Sequence, residues 1–210
     1  ASVFLLEQYQ YALGPARIGA RPGQVALDIG GGWGDTALWL AHRVGPAGKV
    51  YTFEFDPENL EVLKANLDLN PELAGRIEVV PMAAWERSGE HLLFTSAGAA
   101  TTVLGDQQAP SGTTVQTISV DEFVAQAGLP SLGLIKLDVE GAEPRVLAGS
   151  QETLSRLRPA LALAAYHRDD DLVVLPRLIA PAEDYRLYLR TASPLEDETV
   201  LFATAASNSR

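Results

Sequence analysis

Two periods of apolar positions alternate along the first eighty residues. Val25–Ile29 (VALDI) is a short apolar run ending in a glycine cluster, as a buried strand would. Residues 35–43 (DTALWLAHR) then place Leu38, Leu40 and Ala41 on one helical face, and a Gly-Pro-Ala-Gly break at 45–48 ends them. Residues 49–55 (KVYTFEF) form a second strand. Asp56, Pro57 and Glu58 open the next helix in the order cap, proline, acidic first turn, and Leu60, Leu63 and Leu67 carry it towards Asn70-Pro71. Residues 77–81 (IEVVP) give a third strand. Strands alternating with helices at this spacing predict an α/β sheet with parallel strands.

The remainder continues the pattern after one interruption. Residues 91–95 and 113–120 look extended and enclose a loop, 96–112, rich in Gly, Ala, Ser and Thr, so residues 90–120 are expected to be a two-stranded excursion with a mobile loop. A short helix follows at 121–127. Residues 132–139 (LGLIKLDV) are the fourth core strand, Gly141 the turn after it, and Pro144 suits the first position of a helix broken at Gly149. Residues 160–167 (ALALAAYH) are a fifth, apolar strand, and 168–179 a helix interrupted by Pro176. Residues 185–191 and 199–204 form a closing antiparallel pair across a turn containing Pro194. Residues 1–19 read as a helical lead-in and 205–210 as a frayed tail. At 210 residues, one domain over 1–210 is the expectation.

Composition removes several classes. There is no cysteine, hence no disulfide scaffold, thiol nucleophile or cysteine-ligated zinc. Asp+Glu 27 against Lys+Arg 16 gives a net charge of -11, which disfavours polyphosphate partners such as nucleic acid. No apolar run approaches the roughly 18 residues of a membrane helix. The first residues lack a basic leader and a long apolar centre, so a cytoplasmic protein without membrane association is expected.

The glycine cluster is where chemistry enters. Asp28-Ile29-Gly30-Gly31-Gly32-Trp33-Gly34 joins a strand to a helix, where glycine lets main chain approach a ligand and the helix start supplies free N–H groups. No Gly-Lys-Ser/Thr ending follows, and Asp35 stands where a dinucleotide fingerprint has its third glycine. Asp28 would repel a pyrophosphate but suits a cationic ligand such as S-adenosylmethionine. Glu54, 26 residues further on at the end of the second strand, is placed for ribose hydroxyls.

These segments resemble the FkbM-type methyltransferases. The matching stretches are 25–34 (VALDIGGGWG), 50–70 with Phe53-Glu54, and above all 134–147 (LIKLDVEGAEPRVL), with Lys136, Asp138, Glu140, Gly141, Ala142 and Glu143. The likeness spans about residues 20–204. It implies a class I methyltransferase fold, Rossmann-like: a seven-stranded, mostly parallel sheet with helices on both faces and a C-terminal antiparallel pair. It also implies S-adenosylmethionine as cofactor and a hydroxyl of a small molecule, a sugar or natural-product group, as acceptor. Departures are Gly32 where the family often has Asn, Phe55 where it commonly has Pro, and Ala165 where Glu is frequent. The last removes a carboxylate near the expected acceptor site. The rival readings are a nicotinamide-dependent oxidoreductase, against which Asp28 and Asp35 count, and a cofactor-binding partner protein without catalysis.

At the strand ends, His167 reads equally as a general base or acceptor-hydroxyl ligand and as a capping or surface histidine; a base near pKa 7 would suit a neutral hydroxyl. Asp138 is expected to position the acceptor or the cofactor's amino group, and Glu140 to shape the acceptor pocket. A divalent metal held by these acids ranks below a metal-free site, because spacing indicates no further ligand. Lys136 is expected to pair with one of these acids, and Glu143 to be an ordinary helix-start acid. Ala83, Ala84 and Trp85, after the third strand, with Phe55, are the expected adenine wall. Trp85 and Trp33 read either as ligand contacts or as core. Thr101 and Thr102 in the loop are candidates for meeting the acceptor.

Overall fold

The computed structural model describes residues 2–96, 98, 101–105, 113–182, 184–193 and 196–206. In chain order the elements are α1 (Ser2–Leu5), β1 (Val25–Ile29), α2 (Asp35–Val44), β2 (Lys49–Phe53), α3 (Pro57–Asp68), α4 (Pro71–Ala74), β3 (Ile77–Val80), β4 (Ala83–Ala84), β5 (His91–Thr95), β6 (Thr102–Gly105), β7 (Thr113–Ile118), α5 (Val120–Gln126), β8 (Leu134–Leu137), α6 (Glu143–Ala148), α7 (Gln151–Arg156), β9 (Ala160–Ala164), α8 (Asp171–Ile179), β10 (Tyr185–Ser193) and β11 (Glu196–Ala205). The main sheet has seven strands in the order β10-β11-β9-β8-β1-β2-β3. Its strands are parallel except β11, which runs antiparallel to both β9 and β10. This is the class I methyltransferase arrangement expected from the resemblance.

Alternation along the strands divides the core between the two faces of the sheet. Leu27, Ile29, Ile135, Leu137, Leu161, Leu163 and Leu201 pack with α5 to α8. Ala26, Leu134, Ala162, Val200 and Phe202 pack with α2 and the N-terminal segment on the other face. Register fixes the polar exception. Asp28 pairs with Thr52 on β2 and with Lys136 on β8, and Lys136 pairs with Ala162 on β9, so these four form one row on the α2 face.

Several expectations are corrected. The excursion is a four-stranded second sheet, order β4-β7-β5-β6, since Ala83–Ala84 pairs parallel to β7 and Thr102–Gly105 adds a strand inside the expected loop. Residues 106–112 and Pro194 lie outside the described residues. The lead-in is one helical turn, Ser2–Leu5, followed by turns and a Tyr11–Ile18 bridge. β9 stops at Ala164, three residues before His167, and α8 begins at Asp171. Ala205 belongs to β11, and the Ala206 N–H donates to the Asp184 carbonyl; 207–210 lie outside the described residues. Gly149 does separate two helices, and it packs so close to Trp85 that a Cβ there would stand 2.2 Å from the Trp85 carbonyl oxygen. Among the described residues no helix is long and apolar enough to cross a membrane.

Candidate active site

A cavity of about 330 Å³ opens at the carboxyl ends of the central strands. In open α/β sheets this is where ligands bind. Its wall includes Gly30, Gly31, Gly32 and Trp33 from the loop after β1, Glu54 and Phe55 after β2, Ala83, Ala84 and Trp85 after β3, and Asp138 and Glu140 after β8. Thr101 from the excursion, Tyr166 after β9 and Val3, Gln8 and Tyr9 from the N-terminal segment complete its sides. Three expected site residues do not line it: Asp28, Gly34 and His167.

Each glycine has its own constraint. Gly30 has φ +83, and a Cβ there would lie 1.8 Å from the Asp138 main-chain oxygen. Gly31 faces Thr52, whose Oγ1 would be 2.1 Å from an added Cβ. Gly34, with φ +85, lies against Leu63 and immediately precedes α2 rather than meeting the cavity. Gly32, with φ +50, has nothing within 4 Å on the side where a Cβ would project. So three glycines serve close packing and one leaves the cavity clear.

Glu54 is anchored at the cavity wall. Its Oε1 accepts from the Phe55 and Asp56 N–H groups at 2.7 and 2.8 Å, while Oε2 receives Asn59 at 3.3 Å. Burial raises its carboxyl, and the N–H groups of Asp56, Phe55 and Gly32 work in the opposite direction. Asn59 also takes the Trp33 indole N–H at 3.1 Å and donates to the Gly98 carbonyl at 2.9 Å. Asp56 accepts from Ser96 at 2.6 Å and Thr101 at 2.7 Å, tying the excursion to the start of α3. Trp33 remains 49% exposed at the cavity wall, so it is a wall residue and not core.

Asp28 requires correction. It is fully enclosed, and its carboxylate meets Thr36 (2.9 and 3.0 Å), Thr52 (3.0 Å) and Lys136 (3.2 Å). Its place in the sheet row, one strand residue short of the end, turns it into the interior instead of towards a ligand. Lys136 uses the partner so gained. Burial works against its charge, but Asp28 and then Asp138 hold its pKa above the usual lysine range. Its Nζ donates to the Gly30 carbonyl at 2.6 Å, pinning the glycine loop. The partner of Lys136 is therefore Asp28, not an acid after β8.

Around Asp138 the chain gathers donors. Tyr9 donates to Oδ2 at 2.5 Å, Tyr166 to Oδ1 at 3.4 Å, and His167 Nε2 lies 3.4 Å from Oδ1. Glu140, held at φ +53, has Oε2 3.6 Å from the same His167 nitrogen. His167 Nδ1 stands 2.7 Å from Oε1 of Glu143, which is enclosed completely and also accepts the Val139 N–H. Glu143 is thus no surface helix-start acid; its Oε2 is buried with no partner among the described residues. Burial alone would lower His167, but the Glu143 hydrogen bond and the charges of Glu143, Asp138 and Glu140 outweigh it and raise its pKa. His167 thus stands behind the cavity acids, its charged form favoured by the three carboxylates around it. Burial likewise raises Glu140.

Ligand atoms of Asp138, Glu143 and His167 lie within 4.8 Å of one another, a set of types able to hold a metal ion. Both imidazole nitrogens face carboxylates, so the three side chains are also joined to one another as a hydrogen-bonded network. Sequence reasoning missed Tyr9, Gln8, Glu143 as a histidine partner, Tyr166 and Asn59. For Asn59, one turn into the helix after Glu54, spacing held a usable signal. Tyr9 and the Glu143–His167 pair are joined only through the fold.

The family model of the methyltransferase FkbM domain matches residues 17–189. The 2-O-methyltransferase NoeI of Sinorhizobium fredii is 28% identical over 155 residues, 66% of this chain and 62% of that protein. The crystal structure of a methyltransferase FkbM from Methylobacillus flagellatus KT superposes with TM-score 0.67 at 24% identity, covering 88% of this chain and 48% of that one. Fibrillarin from Aeropyrum pernix, solved with natively bound S-adenosyl-L-methionine, superposes with TM-score 0.54 at 13% identity over 88% of this chain and 67% of its own. The chain spans 62% of NoeI and about half of the Methylobacillus protein.

Proposed function

We propose that this chain, which belongs to the FkbM methyltransferase domain family, transfers a methyl group from S-adenosylmethionine to a hydroxyl of a small molecule. The observation that carries the reading is one cavity joining an anchored ribose-type carboxylate, Glu54, to a hydrogen-bonded acid cluster at the β8 end. The residues present fit the donor. The clear space at Gly32 admits a ligand beside main chain, Glu54 Oε2 has acceptor capacity for ribose hydroxyls, and Phe55, Ala83, Ala84 and Trp85 offer an apolar wall for adenine. When bound, the donor supplies an electrophilic methyl on a sulfonium.

The chain's own work is alignment and proton handling. Asp138, fixed by Tyr9 and Tyr166, accepts a hydrogen bond from the acceptor hydroxyl and orients its oxygen; such alignment supplies up to roughly 7–11 kcal/mol in favourable cases. The hydroxyl proton passes to the carboxylates lining the cavity. Glu140 is the exit, because burial has raised its carboxyl while part of it still reaches solvent. His167 stabilises the charge on both acids and is itself held by Glu143. This acid-rich wall and the net charge of -11 favour a small hydroxylated acceptor over nucleic acid.

The test is binding of the demethylated product. S-adenosylhomocysteine at about 100 times its dissociation constant should raise the unfolding free energy by about 2.7 kcal/mol. An intact fold with no shift at saturating ligand refutes the reading.

A further inference from the structure

The N-terminal turn that delivers Tyr9 lies outside residues 17–189, the span matched by the family model, yet it walls the cavity with Val3, Gln8 and Tyr9. It is fastened from outside. Arg190 of β10 donates to the Leu6 carbonyl at 2.6 Å, to the Glu7 carbonyl at 2.8 Å and to the Gln10 carbonyl. Arg43 of α2 pairs with the Glu7 carboxylate at 3.2 Å and reaches the Gln10 side chain. Glu7 sits at φ +48 and its carbonyl accepts the Gln10 N–H, so the chain reverses there and directs residues 8 and 9 inward. Both are buried, and their side chains end differently. Tyr9 is satisfied on Asp138. Gln8 is 3% exposed and lines the cavity, and its carboxamide makes no hydrogen bond to any described residue.

The amide's own atoms are not sealed in the protein: they reach the cavity space, where a ligand can pair them. The amide offers both a donor and an acceptor, the complement of a hydroxyl. It follows Glu7 in the same turn as Tyr9, whose hydroxyl holds Asp138, the group expected to meet the reacting oxygen. We infer that the segment Val3–Tyr9 is the acceptor-reading element of this chain: Gln8 hydrogen-bonds a second hydroxyl of the acceptor, while Tyr9 positions Asp138 for the one methylated. The inference rests on the methyl-transfer reading and adds what the acceptor must carry.

The experiment measures kcat/KM with labelled S-adenosylmethionine on methyl pyranosides and cyclohexane-1,2-diols, against their monodeoxy or monohydroxy counterparts. A site built around a hydroxyl rejects the analogue lacking it, so the parent chain should prefer the diols by about 10–100-fold. Gln8→Met, nearly isosteric, should bring the ratio to within about threefold of unity by lowering turnover of the diol, with S-adenosylhomocysteine affinity unchanged. Gln8→Asn, which keeps the amide but withdraws it by one methylene, is the second variant and should show the same collapse. The inference is overturned by a parent ratio near one, by a ratio that survives both variants, or by variants that weaken S-adenosylhomocysteine as much as they slow the diol. It is overturned too if a chain that binds S-adenosylhomocysteine methylates none of the diols. Absence of that binding in a folded chain instead defeats the underlying methyltransferase reading, so the two failures are separable.

Discussion

Replacing Lys136 with methionine probes a charge pair enclosed almost completely in the sheet. The lysine is 1% exposed and Asp28, 3.2 Å away, is 0% exposed, so the substitution strands a carboxylate with only the Thr36 and Thr52 hydroxyls for company. Removing one partner of a buried pair costs about 3–5 kcal/mol, because the remaining charge keeps its desolvation penalty and loses its counterion. For a chain of this size that is roughly 6–20 °C in melting temperature, and a large part of a typical total stability of about 5–15 kcal/mol. Removing both charges in Asp28→Asn with Lys136→Met should recover most of the loss, since an amide can still meet the two hydroxyls. Urea titrations of the four chains yield the coupling energy directly, provided the slope with denaturant stays constant. Ligand binding supplies an independent readout. The Gly30 carbonyl loses its 2.6 Å donor in both methionine variants, so S-adenosylhomocysteine affinity should remain low even where stability returns. A single-variant cost under about 1 kcal/mol, or strict additivity of the two substitutions, would show that the pair is not the internal brace it is taken for.

The glycines should separate by mechanism. Gly31→Ala must displace Thr52, whose Oγ1 would be 2.1 Å from the new Cβ, and should cost about 1–3 kcal/mol, whereas Gly32→Ala meets no atom within 4 Å, costs about 1–2 kcal/mol in backbone strain, and should chiefly weaken S-adenosylhomocysteine. Equal losses of stability with unchanged ligand affinity would reverse that assignment. His167 should make stability depend on pH with a definite sign. Its folded pKa is raised, so its contribution is complete below the unfolded value of about 6.5 and declines as pH rises through the folded value. Urea midpoints of the parent and of His167→Gln should therefore differ more at pH 6 than at pH 9, and an equal difference at both would contradict an imidazolium held by Glu143.

How far the sequence could be read follows the range of the interactions. The central strands, the glycine turn and the helix caps are local, and their patterns placed β1, β2, β3, β8 and β9 within a few residues. The Asp28 assignment failed for a reason of parity. Asp28 shares its face with Ala26, and β1 lies between β2 and β8, so its neighbours are Thr52 and Lys136; only the strand order reveals that. Glu143 looked like a dipole-stabilising acid because its partner, His167, is 24 residues away across a strand and a turn. The second sheet escaped because β4 has two residues and β6 four, too short to show alternation. Nothing in the N-terminal pattern links Tyr9 to Asp138, 129 positions later.

These corrections converge on one structure. Asp28 was expected to hold the cofactor and His167 to serve the acceptor, as separate tasks. Lys136 is held in its charged form by Asp28 and Asp138 together, and His167 by Glu143, Asp138 and Glu140. Asp138 therefore acts on both cations, on His167 directly at 3.4 Å and on Lys136 through the field it adds to that of Asp28. Of the three carboxylates that His167 meets, Asp138 and Glu140 border the cavity and Glu143 stands behind it. Among these acids Asp138 is the one whose direction both Tyr9 and Tyr166 fix. The same Lys136 also bonds the Gly30 carbonyl, so the glycine loop and the acceptor-facing acid are set by one ammonium group. On the methyl-transfer reading, positioning of the donor and of the acceptor oxygen, which must agree closely for an in-line transfer, then depends on a single buried pair whose register is fixed by two hydrogen-bonded strands.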